Sequence, residues 1–254
     1  MFRQQLEGQL AQGLITFDLP GHGDSSDAPE PTRTYTRPGL ADATLELLGR
    51  LAVREAIIVG WSLGGHIGME MIPRFAGLRG LMIIGAPPVR TGQMASGFSR
   101  LPPEASKAEL ADTEIDTFLR AILGSSKDAT LRDAVRRADG RFRRCLFESA
   151  RAGSGIDQRL AVETSAVPLA VVNGSADPLV RLDYFENIAY ANLWSGRCHR
   201  VEGAGHAPFW EVPERFDAVL ESFLQDLKSD QPVFQDCDLE TRLPGGLRAA
   251  RGAL

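Results

Sequence analysis

The chain has 254 residues, 43% of them apolar, with 28 Lys and Arg against 33 Asp and Glu and a formal net charge of −5. That is enough to bury the core of one large domain, with no basic surplus for nucleic acid or an anionic membrane. Cys145, Cys198 and Cys237 are odd in number and lack metal-ligand spacing, which fits reduced structural thiols rather than a disulfide framework. With no apolar leader at the start and no run long enough to span a bilayer, the expected location is cytoplasmic.

Phe2, Leu6 and Leu10 recur every four residues and predict a short amphipathic helix over 2–11, stopped at Gly13. Leu14-Ile15-Thr16-Phe17 predicts a buried strand, and Pro20-Gly21-His22-Gly23 a turn. Leu40, Leu45, Leu47, Leu48 and Leu51 supply the packing face of a helix over 38–52. The next strand, Ala56-Ile57-Ile58-Val59, runs directly into Gly60-Trp61-Ser62-Leu63-Gly64-Gly65. A serine flanked by glycines between a strand and a helix reads as a nucleophile elbow, where Gly60 and Gly64 let the backbone pass beneath an upward-pointing hydroxyl.

Leu81-Met82-Ile83-Ile84 is a further strand, closed by Gly85-Ala86-Pro87-Pro88. Residues 92–160 then turn helical and polar, with breakers at Pro102-Pro103, Gly124-Ser125-Ser126, Gly140 and Gly153-Ser154-Gly155. The arginines of this stretch (Arg136, Arg137, Arg141, Arg143, Arg144) are interleaved with Asp133, Asp139 and Glu148 and read as solvated helix faces. Alternation resumes with a strand over 169–172, a helix over 181–193, a strand near 197–201 and a last helix over 213–228. Residues 229–254 change composition and predict a mobile tail. Near-continuous apolar strands between helices give an α/β fold, a mostly parallel sheet with helices on both faces. Its core is 1–91 with 161–228, and 92–160 forms a helical cap above the carboxyl edge of the sheet, where such folds bind ligands.

Asp177, in Gly174-Ser175-Ala176-Asp177-Pro178, follows the strand over 169–172, and His206, in Gly203-Ala204-Gly205-His206-Ala207-Pro208, follows the last strand. The order Ser62, Asp177, His206 is nucleophile, acid, base, as this sheet topology requires. A serine hydroxyl is a poor nucleophile until a histidine takes its proton, and the carboxylate fixes the imidazole tautomer and stabilises its charged form. Taken singly, an Asp before Pro is a turn residue and a His among glycines is a surface residue. Their joint occurrence downstream of an elbow selects the triad. The Leu63 N–H is expected to face the tetrahedral oxygen, and Trp61, His22 and Trp210 are candidate pocket residues. His66, four residues beyond Ser62, is the alternative base, and His199 shows no partner. This chemistry calls for no cofactor and no metal.

Phe17-Asp18-Leu19-Pro20-Gly21-His22-Gly23-Asp24-Ser25, the elbow, Gly174 to Asp177, and Gly205-His206-Ala207-Pro208 followed by Glu211-Val212-Pro213 together resemble the alpha/beta-hydrolase superfamily, in its group of small bacterial serine hydrolases. The resemblance spans about residues 2–227 and implies a three-layer fold. It also implies cleavage of a small ester or thioester through an acyl-enzyme, with a small-molecule acyl substrate and no nucleic-acid or membrane partner. A homo-oligomer is left open. Carbon–carbon bond hydrolysis, acyl transfer and a catalytically inactive binding protein are the alternatives. Ser62 argues against dehalogenases and epoxide hydrolases, which use an aspartate nucleophile.

Family members open with three strands, the third ending in a loop whose amide is half of the oxyanion hole. This chain reads from the helix after that loop, so the expectation is an N-terminally truncated hydrolase with its second oxyanion donor missing. The strand over 14–17 then pairs directly with that over 56–59, or a partner subunit fills the gap, or the sequence begins late in its reading frame. One lost donor costs about 2.7–4 kcal/mol, so weak hydrolysis is expected.

Overall fold

The computed structural model describes residues 1–7, 13–124 and 128–229, and the backbone of 247–249. Helix α1 (Arg3–Glu7) leads to strand β1 (Ile15–Phe17), the short helix α2 (Pro31–Thr34), α3 (Arg37–Arg50), β2 (Ala56–Trp61), α4 (Leu63–Met71) and β3 (Leu78–Ile84). Between β3 and β4 (Leu169–Gly174) an insertion carries α5 (Asp112–Leu123), α6 (Ala129–Arg137), α7 (Gly140–Arg151) and α8 (Gln158–Thr164). Helix α9 (Leu182–Glu186), β5 (His199–Val201), α10 (Pro208–Glu211), α11 (Pro213–Ser229) and β6 (Leu247–Ala249) complete the order.

Strands β2-β3-β4-β5 form a parallel sheet in that order. Every residue of β4, and all of β3 except Arg79, is buried, as central parallel strands covered on both faces must be. The strand period of two divides their side chains. Met82, Ile84, Ala170 and Val172 face Phe216, Leu220 and Phe223 of α11, while Leu81, Ile83, Leu169 and Val171 meet Met69 of α4, Val162 of α8 and Phe185 of α9. Each fully buried large apolar side chain contributes about 1.5–3 kcal/mol, and these two layers lock the strand register that aligns the carboxyl ends.

Helix starts are written in the sequence. Thr36, Asp128, Asp139 and Asp157 accept the backbone amides of Gly39, Thr130, Arg141 and Leu160, each cap contributing about 0.5–2 kcal/mol. Helix α1 docks through Gln5, whose Nε2 donates to Phe209 O at 3.1 Å and Asp217 Oδ1 at 2.8 Å, and through Phe2 stacked on Phe209 at 4.3 Å. Leu10, expected in that helix, lies outside the described residues.

Three expectations are corrected. The strand at 15–17 does not pair with β2: its partner is β6, antiparallel, with Ile15 opposite Ala249 and Phe17 opposite Leu247. Residues 247–249 therefore form a strand inside the stretch that composition assigns to a mobile tail, because a short strand leaves backbone groups that need a partner. The helix expected over 181–193 stops at Glu186. Beyond it Leu169 N–H donates to Asn192 O at 2.9 Å and Leu193 bridges Leu169 at the start of β4, while Ala191 N–H donates to Val162 O of α8 at 3.0 Å, so tertiary contacts override helical propensity there.

Candidate active site

Ser62 stands between β2 and α4 with φ 49° and ψ −113°, a positive-φ conformation that costs an L-residue about 1–3 kcal/mol. Its N–H donates to Ile84 O at 2.7 Å, stapling the turn to the end of β3. A β-carbon at position 60 would overlap the Gly64 backbone, so the turn closes only over glycine. Leu63 is the first residue of α4, and its amide has no acceptor within the helix.

Asp177 and His206 meet at the same rim. His206 Nδ1 lies 2.8 Å from Asp177 Oδ2, and the two side chains are 2% and 0% exposed. Leu179 N–H and Val180 N–H donate to Asp177 Oδ1 at 2.8 and 3.3 Å, so both carboxylate oxygens are engaged. With the carboxylate as acceptor, the proton of a neutral imidazole sits on Nδ1 and Nε2 is left as an acceptor. Gly85, next after the Ile84 that holds Ser62, abuts this pair: at φ 58°, a β-carbon there would stand 2.6 Å from His206 Cε1. Gly85 N–H in turn donates to buried Asn173 Oδ1 at 3.0 Å, tying the ends of β3 and β4 together. Among the described residues, Ser62 Oγ makes no hydrogen bond to the imidazole.

The other candidates fall in different places. Trp61 backs the histidine loop, with its Nε1 donating to His206 O at 2.7 Å and its ring edge-on to Phe209 at 5.3 Å. His22 packs edge-on against Phe142 of α7 at 4.3 Å, and burial lowers its pKa. Trp210 is partly buried against the α11 side of the core. His199 does have partners: it shares a 2.7 Å hydrogen bond with Ser195 Oγ and stacks on Trp194. Cys145 and Cys198 are free, and burial pushes the Cys198 thiol up to about 11, while Cys237 lies outside the described residues.

His66 belongs to a buried polar network that sequence reading missed. Gln158 Nε2 donates to His66 O at 3.1 Å and Glu70 Oε1 at 3.4 Å, which leaves Gln158 Oε1 to accept from His66 Nδ1 at 2.7 Å. Glu70 also accepts from Ile156 N–H and faces Arg37, whose Nε lies 3.9 Å away. Arg37 donates to Ser154 O at 2.6 Å. Burial lowers the His66 pKa to about 4 and raises that of Glu70, so His66 is a weak base near neutrality. The network binds α4 to the chain leaving the insertion. No signal local to Gln158 announces it, since its partners are 88 and 92 residues away.

Among the described residues no cluster of His, Cys, Asp and Glu could hold a metal ion, and no helix is long and apolar enough to cross a membrane.

Residues 1–219 match the alpha/beta hydrolase family. The pimeloyl-(acyl-carrier protein) methyl ester esterase of Stenotrophomonas maltophilia strain R551-3 is 29% identical over 234 residues, covering 88% of this chain and 86% of that protein. The 2-succinyl-6-hydroxy-2,4-cyclohexadiene-1-carboxylate synthase of Citrobacter koseri is 27% identical, over 84% of this chain and 83% of its own. Among solved structures, that of the N-acyl homoserine lactonase AidH complexed with N-butanoyl homoserine is 41% identical, with a TM-score of 0.87 over 92% of this chain and 86% of that one.

Proposed function

The chain belongs to the alpha/beta hydrolase family, and from that membership we propose that it cleaves a small carboxylic ester through an acyl-enzyme on Ser62. The observation that carries this reading is the buried Asp177–His206 pair, 2.8 Å apart, beside the strained serine turn. His206 Nε2 takes the Ser62 proton as Oγ attacks the carbonyl carbon, and the Leu63 N–H donates to the oxyanion. Collapse breaks the ester bond, and the imidazolium returns the proton to the leaving oxygen. Nε2 then deprotonates a water that attacks the acyl carbon, and the imidazolium returns that proton to Ser62 Oγ as the acyl–oxygen bond breaks, freeing the acid. Asp177 keeps the Nδ1 proton in place throughout. The β3–β4 insertion serves as the cap over this rim, with Trp61, His22 and Trp210 as the pocket candidates.

The likeness to a lactonase at 41% identity supports a cyclic ester as substrate, so N-acyl homoserine lactones are the first compounds to test, with short p-nitrophenyl esters as the linear comparison. Hydrolysis of both by the 254-residue chain is expected, with Ser62→Ala lowering kcat by roughly 10⁴-fold or more. Equal turnover by Ser62→Ala contradicts the proposal. The alternative reading is ligand binding without turnover. Calorimetric binding of the lactone, unaccompanied by ring opening, selects it.

A further inference from the structure

The backbone that carries His206 is gripped by one carboxylate. Gly205 N–H donates to Glu211 Oε2 at 2.9 Å and Ala207 N–H donates to Glu211 Oε1 at 3.0 Å, so its two oxygens take the amides on either side of the histidine. Hydrogen bonds from N–H to a carboxylate are about twice as strong as neutral ones. Glu211 is the last residue of the four-residue helix α10, so the loop it closes is short and stiff. Trp61 Nε1 donates to the carbonyl oxygen of His206 itself, a further hold on the same backbone. The grip is crowded as well as bonded: a β-carbon at Gly205 would stand 3.1 Å from Glu211 Oε2. A β-carbon at Gly124, the C-cap of α5, would approach the same oxygen to 3.3 Å, so the end of the insertion's first α-helix lies against the clamp.

We propose that Glu211 is a positioning residue for His206. Asp177 fixes the rotation of the ring, and Glu211 fixes the backbone from which the ring projects. The two constraints are separate, because Asp177 touches only the side chain and Glu211 only the flanking amides. Removing Glu211 leaves two amides without their acceptor and lets the loop drift, and a displacement of about 1 Å at a reacting group costs on the order of a hundredfold in rate. A glutamine keeps one acceptor oxygen but turns an NH₂ toward the second amide, so it restores half of the grip. The inference rests on the proposed role of His206 as base.

The test uses the full chain with Glu211→Gln and Glu211→Ala, and two readouts. One is steady-state hydrolysis of p-nitrophenyl butyrate. The other is the NMR signal of the His206 Nδ1–H, assigned by its loss in His206→Gln. Relative to the parent, kcat is expected to fall about tenfold in Glu211→Gln and about a hundredfold in Glu211→Ala with KM within twofold, and the signal is expected to broaden in the same order. An unchanged signal in Glu211→Ala overturns the inference whatever hydrolysis does. So does a rise in KM with kcat preserved. If Glu211→Ala does not fold, Glu211→Gln decides by the same two criteria. Signals that broaden as expected in a protein that hydrolyses no ester sustain the positioning role and refute the proposed reaction instead.

Discussion

Asp177 is asked to accept three hydrogen bonds through two oxygens, and an amide in its place cannot. In Asp177→Asn one atom becomes a donor, facing either the amides of Leu179 and Val180 or the His206 Nδ1–H. Facing Nδ1, the NH₂ makes the imidazole shift its proton to Nε2, the wrong atom for a base; facing the amides, it strips them of their acceptor and pushes the side chain out of place. The expected outcome is a loss of roughly 10⁴-fold in kcat with little change in KM, read from ester hydrolysis at neutral pH. The three residues of the proposed triad are legible in the sequence because each follows a strand, in a fixed order. What holds them is less legible. Asn173, Gly85 and Glu211 act on backbone amides, and residue type alone does not say which amide a carbonyl or carboxylate will meet. Tyr35 shows the same: its hydroxyl donates to Asp139, 104 residues on, and accepts from Ala28 N–H, contacts that appear only once the insertion folds back.

At the scale of the element, α4 does two jobs. Its first turn presents Ser62 and the Leu63 amide, while His66 and Glu70 on its inner side join Gln158 and Arg37 to hold the exit of the insertion. His66 has a folded pKa near 4, below its ordinary 6.5. Below pH 6.5 the unfolded chain therefore takes up a proton that the folded chain refuses. The His66 contribution is whole above that pH and is lost as the pH falls toward 4, by up to about 3 kcal/mol. Glu70 works in the opposite sense. Its raised pKa lets the folded chain keep a proton that the unfolded one releases, so its burial weighs most at higher pH. Urea unfolding from pH 7 to 4.5 is expected to show a steeper loss of stability in the parent than in His66→Gln, which removes only the histidine contribution. Parallel curves contradict the assignment. Apolar patterning marks the four strands of the main sheet and the helices at 38–52 and 213–228 locally, whereas the helices of the insertion are legible only as one helical stretch. The sequence shortened β3 to 81–84, since Arg79 and Gly80 interrupt the apolar run, yet Gly80 lies in the strand, where a β-carbon would strike Leu227. It overextended α9 and placed no strand at 247–249, for there the partner strand, not the local residues, decides the conformation.

For the whole molecule, the consequence of a parallel sheet is that chain segments far apart in sequence end at one rim. Trp61 lies beside Ile84, and Ile84 beside Val172, so the exits of β2, β3 and β4 are held in line, with β5 delivering the loop of His206 alongside. A lactonase at 41% identity and a methyl ester esterase at 29% are similar to this chain over most of its length, and the proposed reaction is assigned to that rim. The most direct measurement is mass-spectrometric mapping of a fluorophosphonate adduct on the full chain. One adduct on the peptide containing Ser62, formed at least about 10³-fold more slowly in His206→Gln, is the expected result. An unlabelled Ser62, or labelling at equal rate without the imidazole, contradicts the claim that Ser62, Asp177 and His206 act as one unit.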